Sequence, residues 1–280
     1  MKVIIHGGFI GESLTSPETK RAKQDSLGRI AEQAYQFLKT HTALETVVYA
    51  VALLEDDELF NAGLGAHIQR DGKVRLSASL MDGKTQKFGG VINLEDVRNP
   101  IQVAEKLIKY DDRVLSGEGA LAFARENGFD YFDPITTHRK FEYEEKLNLN
   151  NRKGTVGCVA LDGDGNIAAA TSTGGKGFEI PCRVSDSATV AGNFANEFAG
   201  ISCTGVGEDI VSGALAAKIV TRVTDGFSLQ AACDKSFVEL KLFDGFAGVI
   251  GIASTGEIYH CDSHPTMVWA SFDVNLQVFN

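Results

Sequence analysis

The pair Gly154-Thr155 offers this 280-residue chain its most direct route to covalent chemistry. Thr155 opens the run Thr155-Val156-Gly157-Cys158-Val159-Ala160-Leu161-Asp162, the pattern of a short buried strand that ends in the turn Gly163-Asp164-Gly165-Asn166. A second run, Ile167-Ala168-Ala169-Ala170-Thr171, leads into Ser172-Thr173-Gly174-Gly175. Together they predict a hairpin with hydroxyls at the same edge of both strands. A hydroxyl is a weak nucleophile without a base beside it, and a threonine's own α-amine can be that base. Such an amine exists here only after cleavage between Gly154 and Thr155. Downstream, Arg183 and Asp186 put a guanidinium and a carboxylate on one loop, the pair that an amino acid's α-carboxylate and α-amine require.

The elements that must position these residues follow from local patterns. Residues 2–5 predict a strand ending at His6-Gly7-Gly8. Ser16-Pro17 predicts a helix start, with Glu18 near the positive end of the dipole and Ile30, Ala34, Phe37 and Leu38 at helical spacing. A second helix is expected over 43–54, and the glycine-rich stretch 59–66 reads as a tight loop. Strands over 74–81 and 88–93 meet at the turn signal Asp82-Gly83; Asn99-Pro100 then starts a helix through Ile108, and Gly117-Glu118-Gly119 precedes another through Glu126. Residues 133–153 are polar and predict a mobile surface segment ending at Gly154. Beyond the hairpin, a loop-rich stretch to Cys203 is expected, then helices over 208–221 and 228–240 and strands over 246–253 and 257–261. Strands and helix pairs on both sides of the polar break suit one domain, with two central sheets between helix layers.

The length, with 44% hydrophobic residues, allows a full core, and five prolines with no Ser/Gly-rich linker favour a single domain. A net charge of −10 makes nucleic acid and anionic membrane surfaces poor partners. The apolar start is too short for a signal peptide, and no run approaches membrane-spanning length. Five scattered cysteines without a Cys-x-x-Cys predict reduced thiols and a cytoplasmic setting.

In order along the chain come His6-Gly7-Gly8, Phe60-Asn61-Ala62-Gly63, Met81-Asp82-Gly83 and Gly117-Glu118-Gly119-Ala120. Gly154-Thr155-Val156-Gly157, Thr171-Ser172-Thr173-Gly174-Gly175, Arg183-Val184-Ser185-Asp186-Ser187 and Ser202-Cys203-Thr204-Gly205-Val206-Gly207-Glu208 follow. This ordered set resembles the plant-type L-asparaginase/isoaspartyl peptidase family of N-terminal nucleophile hydrolases. Any one motif is weak; the series is specific. The resemblance implies an α+β fold, a four-layer αββα sandwich, and a precursor that cleaves itself into an α subunit (1–154) and a β subunit (155–280). Thr155 Oγ would attack the Gly154 carbonyl in an N→O acyl shift, and water would hydrolyse the ester. Gly154 has no side chain to obstruct attack and tolerates a strained backbone. The freed amine, ordinarily near ~8, then serves as a base around neutral pH.

The resemblance also implies roles. Thr173 orients the nucleophile, Asn61 places an amide beside it, and Thr204 with the Gly205 N–H forms the oxyanion hole, where losing one donor costs about a hundredfold or more in rate. Arg183 and Asp186 hold the substrate's α-carboxylate and α-amine, with Gly207 lining the pocket. No cofactor is implied for catalysis. A structural sodium ion is implied on the backbone carbonyls of Leu54, Glu55, Asp57, Phe60, Ala62 and Leu64. The implied substrates are L-asparagine and β-aspartyl dipeptides, and the implied assembly is a homodimer of processed units. Phe9 stands where a third glycine is usual, Ser185 replaces the glycine before Asp186, and Ser77 replaces an aspartate. None of these departures removes a catalytic residue.

Plainer roles exist for the same residues. Thr155 alone would be a strand threonine, Thr173 and Thr204 turn hydroxyls, Asn61 a loop stabiliser, and Arg183 with Asp186 a surface ion pair. His6 reads as a strand-end histidine satisfied by backbone, and Cys158, Cys182 and Cys203 as small buried thiols. His260 and His264 flank Cys261 and Asp262, but Pro265 interrupts and a third zinc ligand is missing. Gly174-Gly175-Lys176-Gly177 lacks the spacing and the Ser/Thr of a phosphate loop. Two other functions stand as alternatives: an aspartylglucosaminidase-like amidase, which the missing signal peptide counts against, and an unprocessed relative acting as a binding protein.

Overall fold

The computed structural model describes residues 1–10, 16–145, 154–264 and 266–279. In chain order these form β1 (Lys2–Phe9), α1 (Pro17–Leu38), α2 (Ala43–Glu55), β2 (Leu76–Asp82), β3 (Lys87–Leu94), α3 (Pro100–Leu107), β4 (Val114–Ser116), α4 (Gly117–Glu126) and α5 (Thr137–Glu144). The second half adds β5 (Val156–Leu161), β6 (Ile167–Thr173), β7 (Asn193–Ala195), β8 (Ala199–Gly205), α6 (Gly207–Gly213), α7 (Leu215–Thr224), α8 (Leu229–Leu240), β9 (Ala247–Ala253), β10 (Ile258–Asp262), β11 (Met267–Phe272) and β12 (Leu276–Val278).

β1, β5 and β6 are buried along nearly their whole length, as strands covered on both faces must be. They form the middle of a sheet ordered β12-β11-β1-β5-β6-β2-β3-β4, while β10-β9-β8-β7 form a second sheet. Ile4, Val159, Ile167, Ala169, Ile250 and Ile252 fill the space between the sheets. Helices α1 to α4 pack Leu27, Ile30, Val47, Val51, Ile101 and Ala120 over the outer face of the larger sheet. Helices α6 to α8 supply Ile210, Ile219, Ala232 and Cys233 to a core on the outer face of the smaller one. The order helix, sheet, sheet, helix is the expected αββα sandwich.

Local chemistry starts the helices where the sequence signals them. Ser16 Oγ accepts from Thr19 N at 3.2 Å, and Thr42 with Glu45 forms a complete capping box on α2. In β5 and β6 Val156 pairs with Ser172, which brings Thr155 and Thr173 together at the end of the hairpin. Among the described residues, no helix is long and apolar enough to cross a membrane.

Several expectations are corrected. β1 runs on through His6 to Phe9. The stretch expected to be loop-rich contains β7 and β8, whose small residues conceal a strand. They are small because the sheets approach closely: a Cβ on Gly200 would lie 2.7 Å from Ile167 Cγ2 and 2.9 Å from Val159 Cγ1. The helix expected over 208–221 is two helices, broken at Ala214 in the left-handed conformation (φ 46, ψ 44). β4, β11 and β12 were not signalled. Within the polar segment, residues 137–144 are helical, with Thr136 as cap and Glu142 buried against Arg139 at 2.8 Å. An ion pair and the stacking of Tyr143 on Phe178 (ring centres 5.1 Å apart) anchor α5, so it shows no aliphatic stripe. The rest of that segment, 146–153, lies outside the described residues.

Candidate active site

The hairpin end brings the candidate hydroxyls together. Thr155 is buried, and its Oγ donates to Thr173 Oγ at 3.3 Å. Thr173 Oγ in turn donates to the Gly154 carbonyl oxygen at 3.2 Å and accepts from Gly175 N at 3.1 Å. Asn61 Nδ2 also donates to the Gly154 carbonyl, at 2.8 Å, and to the Gly175 carbonyl, at 2.5 Å. The orientation of that amide is fixed from behind, because its Oδ1 accepts from His67 N at 3.0 Å. The Gly154 carbonyl oxygen therefore sits between two donors, one amide and one hydroxyl, next to the Thr155 hydroxyl.

Gly154, Thr155 and Thr173 border a cavity of about 780 Å³ that Arg183, Asp186, Gly205, Gly207 and Glu208 also line. Arg183 commits Nε (2.7 Å) and Nη2 (2.8 Å) to the two oxygens of Glu208, leaving Nη1 uncommitted among the described residues. This hydrogen-bonded pairing holds the Glu208 carboxyl down to about 2. Asp186 is almost wholly buried and its Oδ2 has no partner among the described residues. Burial pushes its carboxyl up to about 7, against the pull of the Arg183 charge. Gly207 is glycine for steric reasons, since a Cβ there would lie 2.8 Å from both Arg183 Nη2 and Asp186 Oδ1.

The Asp186 loop is pinned from β2. Ser79 Oγ donates to the Ser187 carbonyl at 2.6 Å and accepts from Asn193 Nδ2 at 3.2 Å. Ser185, at the position of a family glycine, caps the following turn through its hydroxyl. Gly205 borders the cavity with φ +136. Thr204 lies directly behind it, fully buried, with a hydroxyl that has no partner among the described residues. Ser77 accepts from Asn93 N at 3.1 Å, a structural contact. Phe9 packs edge-on against Phe246, ring centres 4.6 Å apart, over Gly248.

The structure thus gathers Gly154, Thr155, Thr173, Arg183, Asp186, Gly205 and Gly207 at one cavity, with Asn61 bonded to the Gly154 carbonyl outside its lining and Thr204 next to Gly205. Three features of the site escaped the sequence. Glu208 was visible as an acid in the first turn of α6, but nothing in its spacing linked it to Arg183. His6 is fully buried and its Nε2 lies 2.9 Å from Ser202 Oγ, itself 2.7 Å from Thr171 Oγ. Burial drives its imidazole down to about 3, so this side-chain network stays neutral; backbone satisfaction alone was expected. Cys182 is exposed on the cavity rim with φ +65, whereas Cys158 and Cys203 are the buried thiols expected. Among the described residues no cluster of side chains could hold a metal ion. His260 and His264 stack on different rings, Trp269 and Phe246.

The family model described as Asparaginase matches residues 1–277. An isoaspartyl peptidase/L-asparaginase of Synechocystis sp. is 44% identical over 96% of this chain and 87% of its own length. An isoaspartyl peptidase of Escherichia coli is 37% identical over 91% of the chain and 88% of its length. A plant-type L-asparaginase of Pyrococcus abyssi is 36% identical over 91% of each. With a threonine, a paired guanidinium and carboxylate, and the intervening motifs in series, the chain belongs to the plant-type asparaginase/isoaspartyl peptidase family of hydrolases.

Proposed function

We propose that this protein hydrolyses β-aspartyl amide bonds, in L-asparagine and in β-aspartyl dipeptides, with Thr155 as the nucleophile after self-cleavage. The observation that carries the proposal is the Gly154 carbonyl, held by Asn61 Nδ2 and Thr173 Oγ beside the Thr155 hydroxyl. These donors polarise the carbonyl toward attack and stabilise the oxyanion as Thr155 Oγ adds to it. The peptide C–N bond then breaks, the nitrogen takes a proton to become the α-amine, and Gly154 is left as an ester on Thr155. Water releases the Gly154 carboxylate.

In the processed enzyme the Thr155 amine takes the hydroxyl proton as Oγ attacks the side-chain carbonyl of the substrate. It returns the proton to the departing amine, and water resolves the β-aspartyl ester. Asp186 receives the substrate ammonium and Arg183 Nη1 the α-carboxylate. Gly205 N–H and the unpartnered Thr204 hydroxyl supply the oxyanion hole of this second reaction. A test is ammonia or amine release from L-asparagine, a β-aspartyl dipeptide and the isomeric α-aspartyl dipeptide. Cleavage of the first two alone is expected; cleavage of the α-linked peptide would contradict the assignment of Arg183 and Asp186.

We also infer a structural sodium ion on the backbone carbonyls of Leu54, Glu55, Asp57, Phe60, Ala62 and Leu64. The loop suits it: a Cβ on Gly63 would lie 2.4 Å from the Glu55 carbonyl oxygen, and one on Gly65 2.0 Å from that of Phe60. Main-chain oxygens therefore crowd where side chains would otherwise be. A bound ion would supply stability to the loop that carries Asn61, with no part in the reaction.

A further inference from the structure

The α-carboxylate and α-amine ligands account for part of the cavity only. Its lining also includes the exposed Arg70, Lys176, Ile180 and Pro181 and the half-buried Phe178, and a free asparagine fills only a small part of about 780 Å³. These two cations differ. Lys176 Nζ lies 3.6 Å from Glu208 Oε1, so its charge is already shared with the carboxylate that pairs with Arg183. Arg70 has no carboxylate partner among the described residues, yet it is held in place. Its Nε donates to the Phe178 carbonyl at 2.7 Å, its backbone N to the Glu179 carbonyl at 3.3 Å, and its own carbonyl accepts from Tyr143 Oη at 3.0 Å. Tyr143 also stacks on Phe178, which ties α5 to the same corner. Both terminal nitrogens of the Arg70 guanidinium remain unengaged among the described residues, an anchored two-pronged donor on the rim of a catalytic cavity.

We propose that Arg70 binds the α-carboxylate of the leaving residue of a β-aspartyl dipeptide, with Phe178 and Ile180 receiving an apolar side chain of that residue. The proposal rests on the hydrolase reading of the site and deepens it: the cavity is built for isoaspartyl dipeptides, and asparagine uses only part of it. An ammonia leaving group reaches none of these residues. A charge-assisted pair at an exposed rim contributes modestly, so the expected effect is about fivefold to tenfold.

The test compares β-aspartyl-leucine, its C-terminal carboxamide and L-asparagine on the processed enzyme. Wild type is expected to prefer the free acid over the carboxamide by about fivefold or more in kcat/KM. Arg70→Gln should raise KM for the acid by a similar factor. It should abolish the preference over the carboxamide and leave L-asparagine turnover within about twofold. Arg70→Lys should restore part of the preference. Equal wild-type rates on acid and carboxamide would overturn the proposal without needing any variant. So would an Arg70→Gln loss that falls equally on L-asparagine. Failure of wild type on L-asparagine and both peptides would instead overturn the hydrolase reading, and this proposal with it.

Discussion

Asp186 is buried with an unpartnered oxygen, and its carboxyl is pushed up to about 7 by desolvation. In the proposed role it receives the substrate ammonium only when ionised, so KM for L-asparagine should rise as pH falls through about 7. The same shift has the opposite consequence for stability. A carboxyl raised in the folded state stabilises the fold fully below its unfolded value and loses that contribution as pH rises through the folded one. Asp186→Asn should therefore raise KM by about 10- to 100-fold, the loss of a charged hydrogen-bond partner. It should also stabilise the protein at pH 8 by about 2–4 kcal/mol, a gain that shrinks toward pH 4. Thermal melts at pH 5 and pH 8 with substrate kinetics check both, and a variant melting lower than wild type at pH 8 would contradict the account. Most of this was legible as residue types: a threonine after glycine, an arginine and an aspartate on one loop. What could not be read was the partner of Arg183, because Arg183 lies in the loop after β6 and Glu208 in α6, with β7 and β8 between them in the chain.

The loop between α2 and β2 joins the proposed sodium site to the proposed nucleophile, because Asn61 lies within it and reaches the Gly154 carbonyl. If the carbonyls of residues 54–64 hold sodium, a ligand of the folded state alone, the melting temperature should rise with sodium concentration by mass action. The comparison is sodium chloride against N-methylglucamine chloride at equal ionic strength. Identical melting in the two salts would contradict the site. At this scale the sequence was legible where a cap and an apolar stripe coincide, as on α1 with Ser16 and the spacing of Ile30, Ala34 and Leu38. It failed where anchoring came from other forces. α5 is held by Arg139, Glu142 and Tyr143, and β8 is made of glycine, alanine, serine and threonine around one isoleucine and one cysteine. Small residues there reflect the close approach of the two sheets, a cause that lies outside the strand's own pattern.

The four layers place the junction between residues 154 and 155 at the end of a central hairpin, with the two halves of the chain interleaved in one sheet. β1 from the first half pairs with β5 and β11 from the second, and β2 pairs with β6. Cleavage at the junction would therefore leave both fragments bound through sheet hydrogen bonds and a shared core. The sandwich was legible from the alternation of strands and helix pairs, whereas the sheet order was not, since β1 pairs with strands more than 150 residues away. The most direct measurement is the intact mass of freshly purified protein, followed over days at neutral pH beside Thr155→Ala. Two fragments meeting between Gly154 and Thr155, with hydrolysis of L-asparagine appearing as they accumulate and neither seen in the variant, are predicted. A single uncleaved chain that hydrolyses the substrate at full rate would contradict the claim that Thr155 acts through its own α-amine.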